Sequence, residues 1–189
     1  MKKIISQIIG ETIASLQGVQ AECVNDITVL SQTIISAYQK GKKVIIFGNG
    51  GSAADAQHMA AELVGRFKKE RRAFAAIALT TNTSILTALA NDYNYERVFE
   101  RQVEAFAEKD DIVIGISTSG NAANVIAGLK KARDRGALTG ALTGAKGIRL
   151  KELCDICITV PSNDTPRIQE AHITIIHVIC KLVEDALTS

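Results

Sequence analysis

The chain has 189 residues, 47% of them hydrophobic, which is enough for one substantial core within ordinary single-domain length. Its 22 basic and 20 acidic residues leave a net charge of +2, so neither nucleic acid nor an anionic membrane is indicated as an obligatory partner. No apolar run approaches the ~20 residues of a membrane span, and the four cysteines, Cys23, Cys154, Cys157 and Cys180, follow no secretory leader, which predicts the cytoplasm and reduced thiols.

From Ile4 to about Gln39 there is no proline, and Ile9, Ile13, Leu16, Cys23, Ile27, Leu30, Ile34 and Ala37 recur in three- and four-residue steps. This predicts one long helix or two in line, with Gly10 and Gly18 as places for a kink, each costing about 1 kcal/mol relative to alanine. The segment precedes the first strand and is no crossover, so its stripe needs a surface beyond the usual helix layers. Burial against a second subunit, at roughly 1.5–3 kcal/mol per side chain, predicts a homo-oligomer; the alternative is packing on the chain's own sheet.

After Gly41 short apolar runs alternate with helical stretches. Strands are expected at Lys43 to Phe47, Phe74 to Leu79, Ile112 to Ser117, Leu138 to Leu142 and Ile156 to Val160. Helices are expected near Ala53 to Phe67, Ser84 to Ala90, Tyr95 to Ala107, Asn121 to Arg135 and Thr165 to Leu187. Near-continuous apolar strands are covered on both faces, so the pattern predicts a three-layer α/β fold with a central five-stranded parallel sheet, doubly wound in the flavodoxin manner. One domain spanning 1–189 is expected, with an oligomerisation helix or helices over 1–40 and an α/β core over 41–189. The densest basic run, Lys68, Lys69, Arg71 and Arg72, is broken by Glu70 where a helix should hand over to a strand, and reads as a solvated turn. Cys154 and Cys157 form a lone C-x-x-C without a second pair, and read as flanking or entering a buried strand.

The first strand ends in Gly48-Asn49-Gly50-Gly51-Ser52 and passes straight into a helix, which places bare amides at a helix N-terminus suited to anions and polar ligands. Gly48, Gly50 and Ala53 also satisfy a dinucleotide-binding spacing, but the second strand ends Leu79-Thr80-Thr81 without the carboxylate that would hold a ribose. The third strand ends in Ser117-Thr118-Ser119-Gly120-Asn121. One N-cap does not account for three hydroxyls at the carboxyl end of a strand, where open α/β sheets bind ligands; a phosphate group fits that supply of donors without added charge.

There are three histidines. His58 and Glu62 share a helix face, with Asp55 a turn earlier. On the last helix Gln169 and His177 lie about 80° apart and can point into one pocket, whereas His172 lies roughly 140° from His177 and is left outside the chemistry. An i, i+4 His/Glu pair also serves as a surface ion pair, and a histidine on an apolar helix as a satisfied core group, so these residues alone leave both readings open.

The ordered set decides between them. Gly48 to Ser52, then Asp55, His58, Glu62, Gly65-Arg66, Asn91-Asp92, Ser117 to Asn121 and Arg167-Ile168-Gln169-Glu170 with His172 and His177 closely resembles the phosphoheptose isomerases of the sugar isomerase (SIS) superfamily. The similarity covers nearly the whole chain. It implies a homotetramer with active sites between subunits, converting sedoheptulose 7-phosphate to D-glycero-D-manno-heptose 7-phosphate at the first step of ADP- or GDP-heptose synthesis. Carried over residue by residue, it implies that Ser117, Thr118 and Ser119 hold the phosphate. Asn49, Gly50, Gly51, Ser52, Asn91 and Asp92 would contact or frame the sugar, together with Glu62 and Gln169. It also implies one zinc ion per subunit on His58, Glu62, Gln169 and His177, and proton transfer by Glu62 and His177. The residues alone would not predict zinc, because glutamine is an unusual ligand for it. One departure is Ala122, where the family's loop often has a serine, so one phosphate donor is missing.

The implied route is a cis-enediol, for which a carboxylate and an imidazole supply two groups of different acidity. A rival from another class is a non-catalytic SIS protein resembling the replication-initiator-associating proteins, which lack the equivalents of Glu62 and His177; both residues are present here. An SIS isomerase of another phosphosugar is the second alternative.

Overall fold

A computed structural model of the chain describes residues 1–188. Strands β1 (Val44–Gly48), β2 (Ala76–Ala78), β3 (Ile112–Ser117), β4 (Leu138–Gly144) and β5 (Ile156–Val160) form one parallel sheet in the order β2-β1-β3-β4-β5. The register sets Ile46 between Ala78 and Ile114, and Leu142 between Ile116 and Ile158. Successive side chains of a strand point to opposite faces, so Ile46, Ile114 and Ile158 enter one core while Ile45, Val113 and Ala141 enter the other. The first core is closed by α2 (Val24–Gln39), α3 (Gly51–Val64) and α8 (Thr165–Leu187). On the other face lie α4 (Thr83–Asp92), α5 (Val98–Phe106), α6 (Ala123–Asp134) and α7 (Ile148–Leu153). This is the three-layer, doubly wound arrangement expected. Cys154 ends α7 and Cys157 lies in β5, both half-buried, as flanking and entering a strand requires.

The N-terminal segment corrects two expectations. It breaks at Cys23, between α1 (Lys2–Glu22) and α2, and not at a glycine. Gly18 serves packing instead: a Cβ there would stand 2.7 Å from the Pro161 ring. Nor does the whole stripe need a second subunit. Cys23, Ile27, Leu30, Ile34 and Ala37 are buried in the first core, with Leu30 over Gly140 of β4. Beyond them, Ile4, Ile5, Ile8, Ile9 and Ile13 of α1 are 44–62% exposed.

The basic run corrects a third. Arg71 is not solvated: its side chain is 3% exposed and pairs at 3.1 Å with Glu184 of α8, itself 1% exposed. The Glu184 carboxylate also accepts the N–H groups of Phe67, Lys68 and Lys69 at 2.7–2.9 Å. Arg71 in turn donates to the carbonyls of Glu62, Leu63, Gly65 and Arg72. Charge at a turn is usually solvated; here the orphan carbonyls at the end of α3 and a carboxylate from α8 draw the guanidinium inward.

His172 of α8 is fully buried against β4, its Nε2 3.3 Å from the Thr143 carbonyl while Nδ1 has no partner. Burial pushes the imidazole down from 6.5 to about 4, against the raising effect of the Thr143 bond, so the folded chain refuses a proton that the unfolded chain accepts below 6.5. This group's contribution is therefore complete above pH 6.5 and is lost as pH falls toward 4, on the order of 3 kcal/mol in all. Urea denaturation of wild type and His172→Gln should show a stability gap that narrows between pH 7.5 and pH 5; a gap that stays constant would contradict the assignment.

Candidate active site

The chain steps from β1 outward to β2 and then crosses back over β1 to β3 on its other side, and this reversal opens a crevice at the carboxyl ends of β1 and β3. Both glycine- and hydroxyl-rich loops lie there. Gly48 ends β1, where a Cβ would come within 2.8 Å of the Ile116 carbonyl and 2.7 Å of the Ser52 side chain. Gly50 takes φ +56° at the N-cap of α3, a conformation L side chains rarely adopt, and Ser52 is buried in the first turn. Asn49 crosses the crevice: it donates to Asn124 Oδ1 at 2.8 Å and accepts from Asn124 Nδ2 at 2.9 Å. The Tyr95 hydroxyl adds a third bond, donating to Asn49 Oδ1 at 3.2 Å. Neither Asn124 nor Tyr95 was singled out by the sequence, since each looks like an ordinary polar residue in a helical stretch.

In the second loop Ser117 is buried, Thr118 half-buried and Ser119 exposed. The Asn121 N–H donates to Ser119 Oγ at 3.2 Å, and its side-chain amide to the Ser119 carbonyl at 3.0 Å, while Gly120 turns the chain at φ +66°. Ala122 occupies the N-cap of α6, which has no side-chain cap bond. The departure from the family pattern thus falls where a hydroxyl would have met the first-turn amides.

α3 and α8 lie side by side and bring the remaining groups together. The Gln169 carboxamide lies on Gly51, and a Cβ there would push it aside. Two turns further on, His177 Nε2 is 3.0 Å from His58 Nε2, and the latter is 3.3 Å from Glu62 Oε1. The Phe67 ring backs His177 at 5.6 Å. The His58 ring nitrogen is thus in reach of both partners, and His58 links Glu62 to His177. Asp55, one turn before His58, has a buried Oδ2 without a partner, and burial pushes its carboxyl up to about 6 against the opposing pull of His58. Asn91 and Asp92 stand exposed at the end of α4, where Asn91 Nδ2 donates to Asp92 Oδ1 at 2.9 Å. His172 faces β4 and stays outside this set.

The two imidazoles and the carboxylate are ligand types that zinc takes, while the Gln169 carboxamide is an unusual one. The separations of 3.0 and 3.3 Å are close to the about 3.3 Å edge of a tetrahedron with zinc–nitrogen bonds near 2.05 Å. Among the described residues, no group of three or more His, Cys, Asp or Glu side chains is arranged to hold a metal as it stands; His58 is the common contact, with Gln169 nearer the start of α3.

Known proteins with this architecture agree with one another. Residues 9–144 match the SIS domain family. The phosphoheptose isomerase of Geobacter metallireducens is 55% identical over 91% of this chain and 91% of its own length. That of Aquifex aeolicus is 62% identical over 80% of each. Among solved structures, the phosphoheptose isomerase of Neisseria gonorrhoeae superposes with a TM-score of 0.93 at 38% identity, covering 97% of this chain and 98% of that one.

Proposed function

Because this chain belongs to the SIS domain family and, within it, to the phosphoheptose isomerases, we propose that it interconverts sedoheptulose 7-phosphate and D-glycero-D-manno-heptose 7-phosphate through a cis-enediol, supplying heptose synthesis. The observation that carries this reading is the meeting of Glu62, His58 and His177 on α3 and α8, two helices whose first turns border the crevice.

The hydroxyls of Ser117, Thr118 and Ser119 anchor the phosphate, and Asn49, Gly50, Gly51, Ser52, Asn91, Asp92 and Gln169 hold the sugar hydroxyls. Asn49 arrives already oriented by Asn124 and Tyr95, so little ordering remains for substrate binding to impose. Glu62 takes the proton from C1 of the ketose while His177 gives one to O2, which makes the enediol. Glu62 then returns its proton to C2 as His177 takes one from O1, leaving the aldose and both groups as they began. His58, in contact with both, holds their side chains in position. A zinc ion on His58, Glu62, Gln169 and His177 supplies Lewis-acid stabilisation of the oxygen charge when bound.

The uncovered isoleucines of α1 support a homotetramer in which neighbouring subunits complete the sites. Among the described residues no helix is long and apolar enough to cross a membrane, which accords with a cytoplasmic enzyme. Chelator-treated protein and zinc-reconstituted protein should differ in turnover of sedoheptulose 7-phosphate by about tenfold or more. Metal analysis should find one zinc per subunit in wild type and none retained by His58→Ala. Equal turnover with no bound metal would remove zinc from the account; absence of any heptose product in both would remove the isomerase reading.

A further inference from the structure

Three loops are stitched together beside the hydroxyl cradle. The turn after β4 donates from the Gly144 N–H to the Thr118 carbonyl at 3.1 Å and from the Ala145 N–H to the Ser162 carbonyl at 2.9 Å. Gly147 closes that turn onto Gly144 at 2.9 Å, and packs so tightly on Gly120 that a Cβ at either position would collide with the other loop or with Thr143. Lys146 is therefore carried on a backbone fixed on both sides. Lys146 is one of the residues lining a cavity of about 170 Å³, with Thr118, Ser119, Ser162, Asn163 and Thr165 as its other polar residues.

That lining contains hydroxyls, an amide and one ammonium, and no carboxylate. Among the described residues no acidic side chain lies within 4.0 Å of Lys146, so the charge is not spent on a structural pair. Thr165 opens the 23-residue helix α8, whose N-cap Asp164 makes no side-chain cap bond, so the first-turn amides at this edge are not capped from the side chain. An anion held there gains from the lysine and from the dipole of α8, against the charge of Asp164 at the N-cap. The loop is short of one donor, at Ala122.

We propose that Lys146 is a phosphate-binding residue of this enzyme, closing the outer side of the Thr118–Ser119 cradle and supplying the charge and donor that the loop lacks at Ala122. The inference rests on the phosphate reading of the Ser117–Ser119 loop. It changes the character of the site, from an uncharged cradle to one that prefers the dianionic phosphate and responds to salt.

The test compares wild type, Lys146→Ala, Lys146→Arg and Ser119→Ala in two measurements: KM and kcat with sedoheptulose 7-phosphate, and calorimetric binding of inorganic phosphate, which needs no turnover. Lys146→Ala should weaken phosphate binding and raise KM by about tenfold, the scale of one charge-assisted hydrogen bond at an exposed site, with a smaller change in kcat. Lys146→Arg should keep most of the affinity, and the gap between wild type and Lys146→Ala should shrink at 0.5 M salt. Unchanged phosphate binding and KM in Lys146→Ala, with Ser119→Ala weakened, would overturn the role of Lys146 and leave the cradle standing. If Ser119→Ala were also unchanged, the cradle reading would fail and Lys146 would fall with it.

Discussion

Glu62→Gln should reduce turnover by at least about 10²-fold, the scale of losing a general acid or base, with little change in stability or in KM. Glu62 side-chain atoms touch His58 at 3.3 Å and are 25% exposed, and glutamine keeps both the shape and an acceptor for that contact. The helix itself is held at this residue through the backbone, since Arg71 binds the Glu62 carbonyl at 2.7 Å. Lost activity in a protein that melts normally and still binds its zinc is therefore a loss of the base. Steady-state kinetics with sedoheptulose 7-phosphate, alongside a thermal melt, make the comparison, and near-normal kcat would sink the assignment of Glu62 as the base.

The largest effect on stability is expected at Glu184. Glu184→Ala leaves the Arg71 guanidinium buried without its carboxylate and three backbone N–H groups without their acceptor. Breaking a buried pair on one side costs about 3–5 kcal/mol. Arg71→Ala should cost a similar amount, because it strips the carbonyls of Glu62, Leu63 and Gly65 at the end of α3 and leaves Glu184 charged in the core. The two losses should not add, since either one destroys the same pair. Urea denaturation of both single variants and the double variant reads this out; a loss below about 1 kcal/mol in Glu184→Ala would show that the brace is not what joins α3 to α8. Because those helices carry Glu62 and His177, milder variants that fold should still misplace the two groups and depress kcat.

Much of this was readable from residue order, for physical reasons that differ by element. β3 and β5 begin and end as expected, and so does α8, because buried parallel strands are continuous apolar runs and Pro166 lies in the first turn of the last helix, where a missing N–H costs nothing. α7 was missed since six residues are too few to display a period. Arg71 was misread because a charge in a basic run says nothing of a carboxylate 113 residues away. Likewise the burial of the Cys23 to Ala37 stripe depends on α2 lying over β4, a tertiary fact that amphipathicity cannot supply. In the site, His58, Glu62, Gln169 and His177 were found only as an ordered set. Asn124 and Tyr95 escaped because their meaning comes from meeting Asn49 across the crevice.

The most direct measurement is nuclear magnetic resonance of sedoheptulose 7-phosphate incubated with the protein in deuterated water. An aldoheptose 7-phosphate bearing deuterium at C2 is predicted, because the carbon proton passes through a side chain open to solvent exchange. A sugar phosphate that binds yet is recovered as unchanged ketose, with no aldose formed, would contradict the account.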